Sequence, residues 1–378
     1  MRHPKSLLLA LALLCTLPVS AQDWVAPTKR LFYVVAWPGR VFRFDPETDK
    51  VTGEVAFRNG VHHDVTLSAD KKKMFVVTGQ KQHVEIVDLA TMAIVADHSF
   101  ERAGQTARVD DVREIPGGDR WYVRIERIKK LLDRYEIMEP EWVEYKLGGR
   151  EEGKPMKELP KAIRSGARIS PDGKKWHVFL KDITVIDPVT LKEEGKIVLS
   201  EPAYAGMGGY TVRGDDFFNN LNPNAYRFIW NMTDPVKKNR TFFGRFDIDL
   251  KTMKIDPTSV KDWGASLNFN RGFRSIDNRI GVGSGGGRFG GGGGSRAEGE
   301  GEAEVTAVTY DLETGRKVKE GRAKIREAVS MAAVSADASK SYWTGRGHEL
   351  VVLDADHKYL KTVELPGEIT RGIYVVDS

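Results

Sequence analysis

Three side-chain types in this chain can do chemistry at neutral pH. His62 and His63 stand together, with Asp64 next. Asp110 and Asp111 form a carboxylate pair. Arg164, Arg271 and Arg371 stand just before or within short apolar runs. His63 is the best candidate for proton transfer near neutral pH, because only imidazole titrates there unperturbed. Asp110 or Asp111 can orient it. Arg271 and Arg371 can clamp a carboxylate or phosphate with bidentate bonds. A metal site built from His62, His63 and Asp110 is disfavoured, since adjacent residues on a strand point to opposite faces. The alternative is that these polar groups bond one another and trapped water. No G-x-S-x-G elbow, H-E-x-x-H or nucleotide fingerprint accompanies them.

These residues acquire a common address from a repeat. The turn signature Asp-x-x-Thr follows an apolar run at Asp45–Thr48, Asp88–Thr91, Asp187–Thr190, Asp249–Thr252 and Asp311–Thr314. A degenerate copy lies at Asp354–His357, and a weak one at Asp133. Seven such units mean a repeat architecture. The second unit shows the plan: Val65–Leu67, Met74–Thr78, Val84–Val87 and Met92–Val95 read as four strands separated by turns. Four alternating strands per unit make a propeller blade. A second turn recurs at Ser68-Ala69-Asp70, Ser170-Pro171-Asp172 and Ser335-Ala336-Asp337. The Asp of each Asp-x-x-Thr turn is expected to accept backbone N–H bonds, a structural duty.

The fold class is therefore all-β, a seven-bladed β-propeller of four-stranded blades. Gly372–Val376 reads as a first strand with no blade after it, and Leu31–Val35 reads as a second strand with none before it. The C-terminal strand should pair with the N-terminal strands and close the ring, removing exposed edges. First strands line the axis of such a ring, so the residues just before them gather at the channel mouth. His62 and His63, Asp110 and Asp111, Arg164 with Ser165, Gly208, Arg271, Ser330 and Arg371 are the residues so placed. Arg271-Gly272-Phe273 and Arg371-Gly372-Ile373 support each other's register. A slip of one residue exchanges the faces.

The strands Met74–Thr78 and Val84–Asp88 resemble the YVTN-type propeller repeat of exported bacterial proteins, and Leu350–Asp354 fits the same strand. The resemblance implies the fold and no single activity, since the family includes binding platforms, amine-dehydrogenase propeller subunits and lactonase-like enzymes. Three functions are compatible with it. One is an exported binding scaffold for a protein partner or small anionic ligand. Another is a lactonase-like hydrolase in which His63 activates water while Arg271 and Arg371 hold an anionic substrate. The third is a cofactor-free subunit of a periplasmic amine-dehydrogenase-like complex. The eight tryptophans do not recur at one blade position, against the larger quinone-cofactor propellers.

Residues 1–21 read as a signal peptide: Arg2 and Lys5, then the apolar Ser6–Leu17, then Val19-Ser20-Ala21. That implies a periplasmic or secreted protein, with the propeller in residues 22–378. Cys15 is the only cysteine. Cleavage would leave no thiol, and so no disulfide, iron–sulfur cluster or C-x-x-C-H haem. No cofactor and no metal is expected. The net charge of +5 is mild and forms no dense basic block, so nucleic acid is an unexpected partner. No later segment is long and apolar enough to suggest a membrane span.

Two segments depart from the repeat. Trp121–Leu147 is dense in both charge signs and reads as long solvated strands or a short helix, with a partner-docking edge as the sharper alternative. Residues 281–304 are glycine-rich and read as a disordered insertion between strands of blade six. A loop without Gly-Lys-Ser/Thr is no phosphate cradle.

Overall fold

The computed structural model describes residues 25–146, 153–156, 159, 163, 167–170, 173–179, 182–199, 216–218, 222, 224–233, 241–264, 273–285, 302–326, 330–344 and 347–378. It shows seven antiparallel sheets of four or five strands. Six run in chain order from the second blade to the seventh. Blade one is composite: Glu368–Asp377 is its inner strand, followed outward by Arg30–Trp37, Arg40–Asp45 and Lys50–Ala56. Tyr33 faces Tyr374 and Phe32 faces Val375 across that seam. The expected closure is thus present, with an inner strand longer than the sequence indicated.

The middle strands read as continuous apolar runs because both of their faces are buried. In Phe32-Tyr33-Val34-Val35, Phe32 and Val34 pack against Tyr342 and Val352 of blade seven. Tyr33 and Val35 pack against Met74 and Val76 of blade two. The same alternation builds one apolar cluster at each of the seven blade interfaces. Outer strands such as Lys50–Ala56 and Ala93–Ser99 cover the sheets with one face only, and alternate accordingly.

The turn aspartates do what their spacing requires. The Asp88 carboxylate accepts from the Thr91 N–H and hydroxyl, both at 2.8 Å. Asp187 accepts from Val189 and Thr190, Asp249 from Lys251 and Thr252, and Asp311 from Glu313 and Thr314. The residue after each motif then turns left-handed, as at Met92, Leu191 and Met253, with Gly315 supplying it without strain. The first-turn signature has a further copy in blade six. Ser275-Ile276-Asp277 repeats the Ser-to-Asp bond of Ser68–Asp70 and Ser335–Asp337.

Asp133 is different from the other copies. It lies in the hairpin tip joining Arg120–Lys130 to Tyr135–Ile137, between the second and third strands and not between the third and fourth. The ends of the glycine-rich segment, Ile280–Gly285 and Glu302–Asp311, are paired strands of blade six. Residues 286–301 lie outside those described, as do residues 1–24 with the expected signal peptide.

Candidate functional site

The histidine pair sits in the loop from blade one to blade two, and a buried carboxylate holds that loop. Glu85, on the third strand of blade two, is fully buried. It accepts from the N–H groups of Arg58 and Asn59 at 2.8 and 2.9 Å, from Asn59 Nδ2 at 3.0 Å and from the Thr78 hydroxyl at 2.9 Å. Four donors satisfy the carboxylate oxygens, which makes the burial of Glu85 tolerable. In the sequence, the alternation of Val84-Glu85-Ile86-Val87 gives Glu85 no sign of this role.

With the loop fixed, the two histidines diverge. His62 is buried against Phe57, and its Nε2 lies 2.8 Å from the Thr370 hydroxyl of the closing strand. His63 is half-buried, and its backbone N–H donates to the Val77 carbonyl at 2.7 Å, prolonging the strand ladder. The contact to Thr370 brings the histidine pair beside strand position 371. There the closing strand bulges, pairing Ile369 with Ala36 and Gly372 with Val35. Arg371 is placed by its backbone within that strand. Arg164, Ser165, Gly208 and Arg271 lie outside the described residues.

Asp110 and Asp111 lie in mid-strand instead of ahead of it, because the inner strand of blade three runs from Gln105 to Ile115. The register shift between Val109 and Asp111 makes Asp110 the extra residue of a bulge. It accepts from Arg124 at 2.9 Å, with Lys81 of blade two at 3.8 Å. Asp111 takes a fork of two bonds from Arg113, at 3.1 and 3.0 Å. Each carboxylate is thus held by cations of its own neighbourhood. Among the described residues, no group of three His, Asp or Glu side chains could hold a metal ion. No described helix is long and apolar enough to cross a membrane.

Blade three carries a feature the charge pattern concealed. Its strands outrun their neighbours: Arg120–Lys130 pairs with Gln105–Ile115 on one side and with Tyr135–Ile137 and Glu141–Lys146 on the other. The far end is an arm in which Leu132 is fully exposed, Tyr135 and Ile137 are 68% and 67% exposed, and Met138 is 41% exposed. Many of the charges along the blade pair with one another, as in Arg127–Glu141, Arg120–Glu144 and Arg108–Glu126. The arm's outer edge is also unpaired among the described residues, since Lys154–Met156 covers only Trp142–Glu144. Arg134 and Met138 bond inward, to Leu131 and Arg127 at 2.8 Å. Ladder alternation therefore turns the N–H and C=O groups of Tyr135 and Ile137 outward.

No family model matches the chain, and neither does any curated protein sequence. Solved structures that it resembles include a protein of unknown function from Desulfotomaculum acetoxidans. That structure is 11% identical, with 93% of this chain and 99% of that one covered, at a TM-score of 0.45. The propeller domain of Cps50 (Swd1) from Myceliophteria thermophila is 12% identical over 83% of this chain and 89% of its own, with a TM-score of 0.44. Apo AztD from Citrobacter koseri is 11% identical over 92% and 98%, with a TM-score of 0.41. At these identities the likenesses say nothing of what the chain binds.

Proposed function

We propose that this protein is an exported β-propeller that serves as an interaction scaffold and docks a protein partner through the arm of blade three. The observation that carries the reading is the arm itself. Leu132, Tyr135, Ile137 and Met138 stand exposed within seven residues of one hairpin. A strand edge that is unpaired among the described residues and carries exposed apolar side chains is a hazard that proteins ordinarily blunt, so its retention is explained by a partner that covers it. Strand addition to the edge groups of Tyr135 and Ile137 would supply main-chain bonds, and the apolar side chains would supply selectivity. The signal-like residues 1–21 support export. The strands Lys73–Thr78 and His83–Asp88 support membership of the YVTN-type repeats.

The test is recovery of the tagged protein from its own host, with stoichiometric companions identified by mass spectrometry. A Leu132→Ser/Tyr135→Ser/Ile137→Ser variant is run alongside. A companion held by the wild type and lost from the variant is the expected result. A companion retained by the folded variant, or a wild type that emerges alone, overturns the reading.

A further inference from the structure

The turn before an outer strand carries a residue that reaches the preceding blade. Met92 of blade two lies on Gly53 of blade one, and Met253 of blade five on Gly195 of blade four. Leu191 of blade four joins Trp142 and Met156 of blade three. These knobs are apolar and indifferent to pH. Blade seven departs from them on both of its sides.

Toward blade six the knob is His357, 2% exposed and left-handed at φ 61°. It sits against Gly321 of the outer strand Arg316–Arg326, where a Cβ would come within 2.5 Å of its own. Its Nε2 lies 2.9 Å from the Thr309 hydroxyl, and its Nδ1 is buried with no hydrogen-bond partner. A neutral imidazole fits this socket with one nitrogen bare. An imidazolium carries N–H on both nitrogens, and one of them would be buried without an acceptor. The charged groups around it are committed elsewhere. Lys319 of blade six is itself a cation and pairs with Asp356. Asp354 accepts from the N–H groups of Asp356 and Lys358 at 2.8 and 2.9 Å. Asp311, beyond Thr309 on its strand, accepts from Glu313 and Thr314, and Lys317 pairs with Glu320. Burial and Lys319 lower the His357 pKa below 6.5, and Asp354 and Asp356 oppose them without prevailing.

Toward blade one the tie is ionic. Asp49 accepts from Lys340 at 2.8 Å, from Lys361 at 2.7 Å and from the Tyr342 hydroxyl at 2.5 Å. Burial raises its pKa, but these bonds outweigh burial and hold it below 3.8. Arg30, buried, crosses the same seam. Its Nε and Nη2 donate to Asp377 at 2.6 and 2.9 Å, and Nη1 reaches the carbonyls of Arg274, Val334 and Ser335 at 2.5, 3.3 and 3.3 Å.

We infer that His357 is a proton-operated latch, and that mild acid loosens the seam between blades six and seven while the seam between blades seven and one stays shut. Protonation expels the ring from its socket and leaves the apolar cluster of Ala307, Ala323, Trp343, Val351 and Leu353 without that outer lock. The open latch binds the proton more readily than the closed one. Closure is therefore fully favoured above pH 6.5 and weakens as pH falls below it. Asp49 gives up its stabilisation only below pH 3.8, outside that window.

The test is hydrogen exchange of the full protein, read as protection relative to the intrinsic rate at about pH 7.5 and about pH 5.5. Protection of residues 319–323 and 355–359 should fall about threefold or more, the limit for one proton being about tenfold per pH unit. His357→Met, which installs the knob of blades two and five, should abolish the fall. His357→Asn accepts the left-handed backbone and does not titrate, so it should do the same and serves if the methionine variant does not fold. Unchanged protection in the wild type overturns the inference. So does an acid response retained by the folded variant, or a fall shared equally by Trp121–Ile125, which marks unfolding of the whole ring.

Discussion

Blades two and three sit side by side and share a core, yet they use their charges in opposite ways. Phe75, Val77, Val84 and Ile86 of blade two interlock with Val109, Val112, Trp121 and Val123 of blade three. Blade two keeps to the repeat and spends its polar groups inward, with Glu85 fastening a loop and Asp88 closing a turn. Blade three overruns the repeat and pairs its charges along its own strands, which leaves an apolar tip in solvent. The difference shows how a ring acquires a function without disturbing its closure. The interface face of a blade is constrained by both neighbours, but the length of its hairpin is not.

The shared interface is where the largest effect is expected. Trp121→Ala removes a buried indole that meets Phe75, His98, Phe100 and Tyr145, and should cost about 3–5 kcal/mol in urea unfolding. A loss under about 1 kcal/mol would mean that the two blades do not share a core. Glu85→Ala comes next. It leaves the Arg58 and Asn59 N–H groups without their acceptor and should cost about 2–3 kcal/mol, with faster hydrogen exchange at residues 58–63. Unchanged exchange there would remove the contrast drawn for blade two.

The junction also has a pH dependence. His98 of blade two packs edge-on against Trp121, with ring centroids 5.0 Å apart. Burial lowers its pKa below the ordinary 6.5, with Asp97 opposing. The unfolded chain then binds the proton more readily than the folded one, so stability falls as pH drops below 6.5. His98→Phe should flatten that part of the stability–pH curve. An unaltered slope would assign it to another group. The smallest effect belongs to the arm: Leu132→Ser, Tyr135→Ser and Ile137→Ser should each shift stability by no more than about 0.5 kcal/mol. A larger loss would make the arm part of the core.

The architecture was open to reading because its signals are local. Asp-x-x-Thr specifies a turn through bonds spanning two or three residues, and two-sided burial writes Phe32-Tyr33-Val34-Val35 as an apolar run. What escaped depends on contacts across blades. Glu85 gives no sign of its role until the Arg58–Asn59 loop is folded over it. Arg30 looks like an ordinary strand-start cation until Asp377, Arg274 and Ser335 surround it. Asp110 and Asp111 were expected ahead of their strand, because a bulge is invisible to a period-two pattern. Of the candidate set, His62 and His63 are placed beside the closing strand, while Arg164 and Arg271 fall outside the described residues. The exposed apolar residues of the arm were hidden by the charges around them.

The composite blade also has a meaning in time. Arg30 and Asp377 pair across 347 positions. As the chain is synthesised, blades two to seven can assemble in order, each on its predecessor. The sheet begun by Arg30–Trp37 must wait for Glu368–Asp377 with its inner edge open. Closure of the ring therefore waits on Glu368–Asp377, and loss of that strand leaves a six-bladed array with one unfinished sheet at its head. Because long-range pairing is slow and open edges invite other chains, the interval before closure is when this protein is most vulnerable to aggregation.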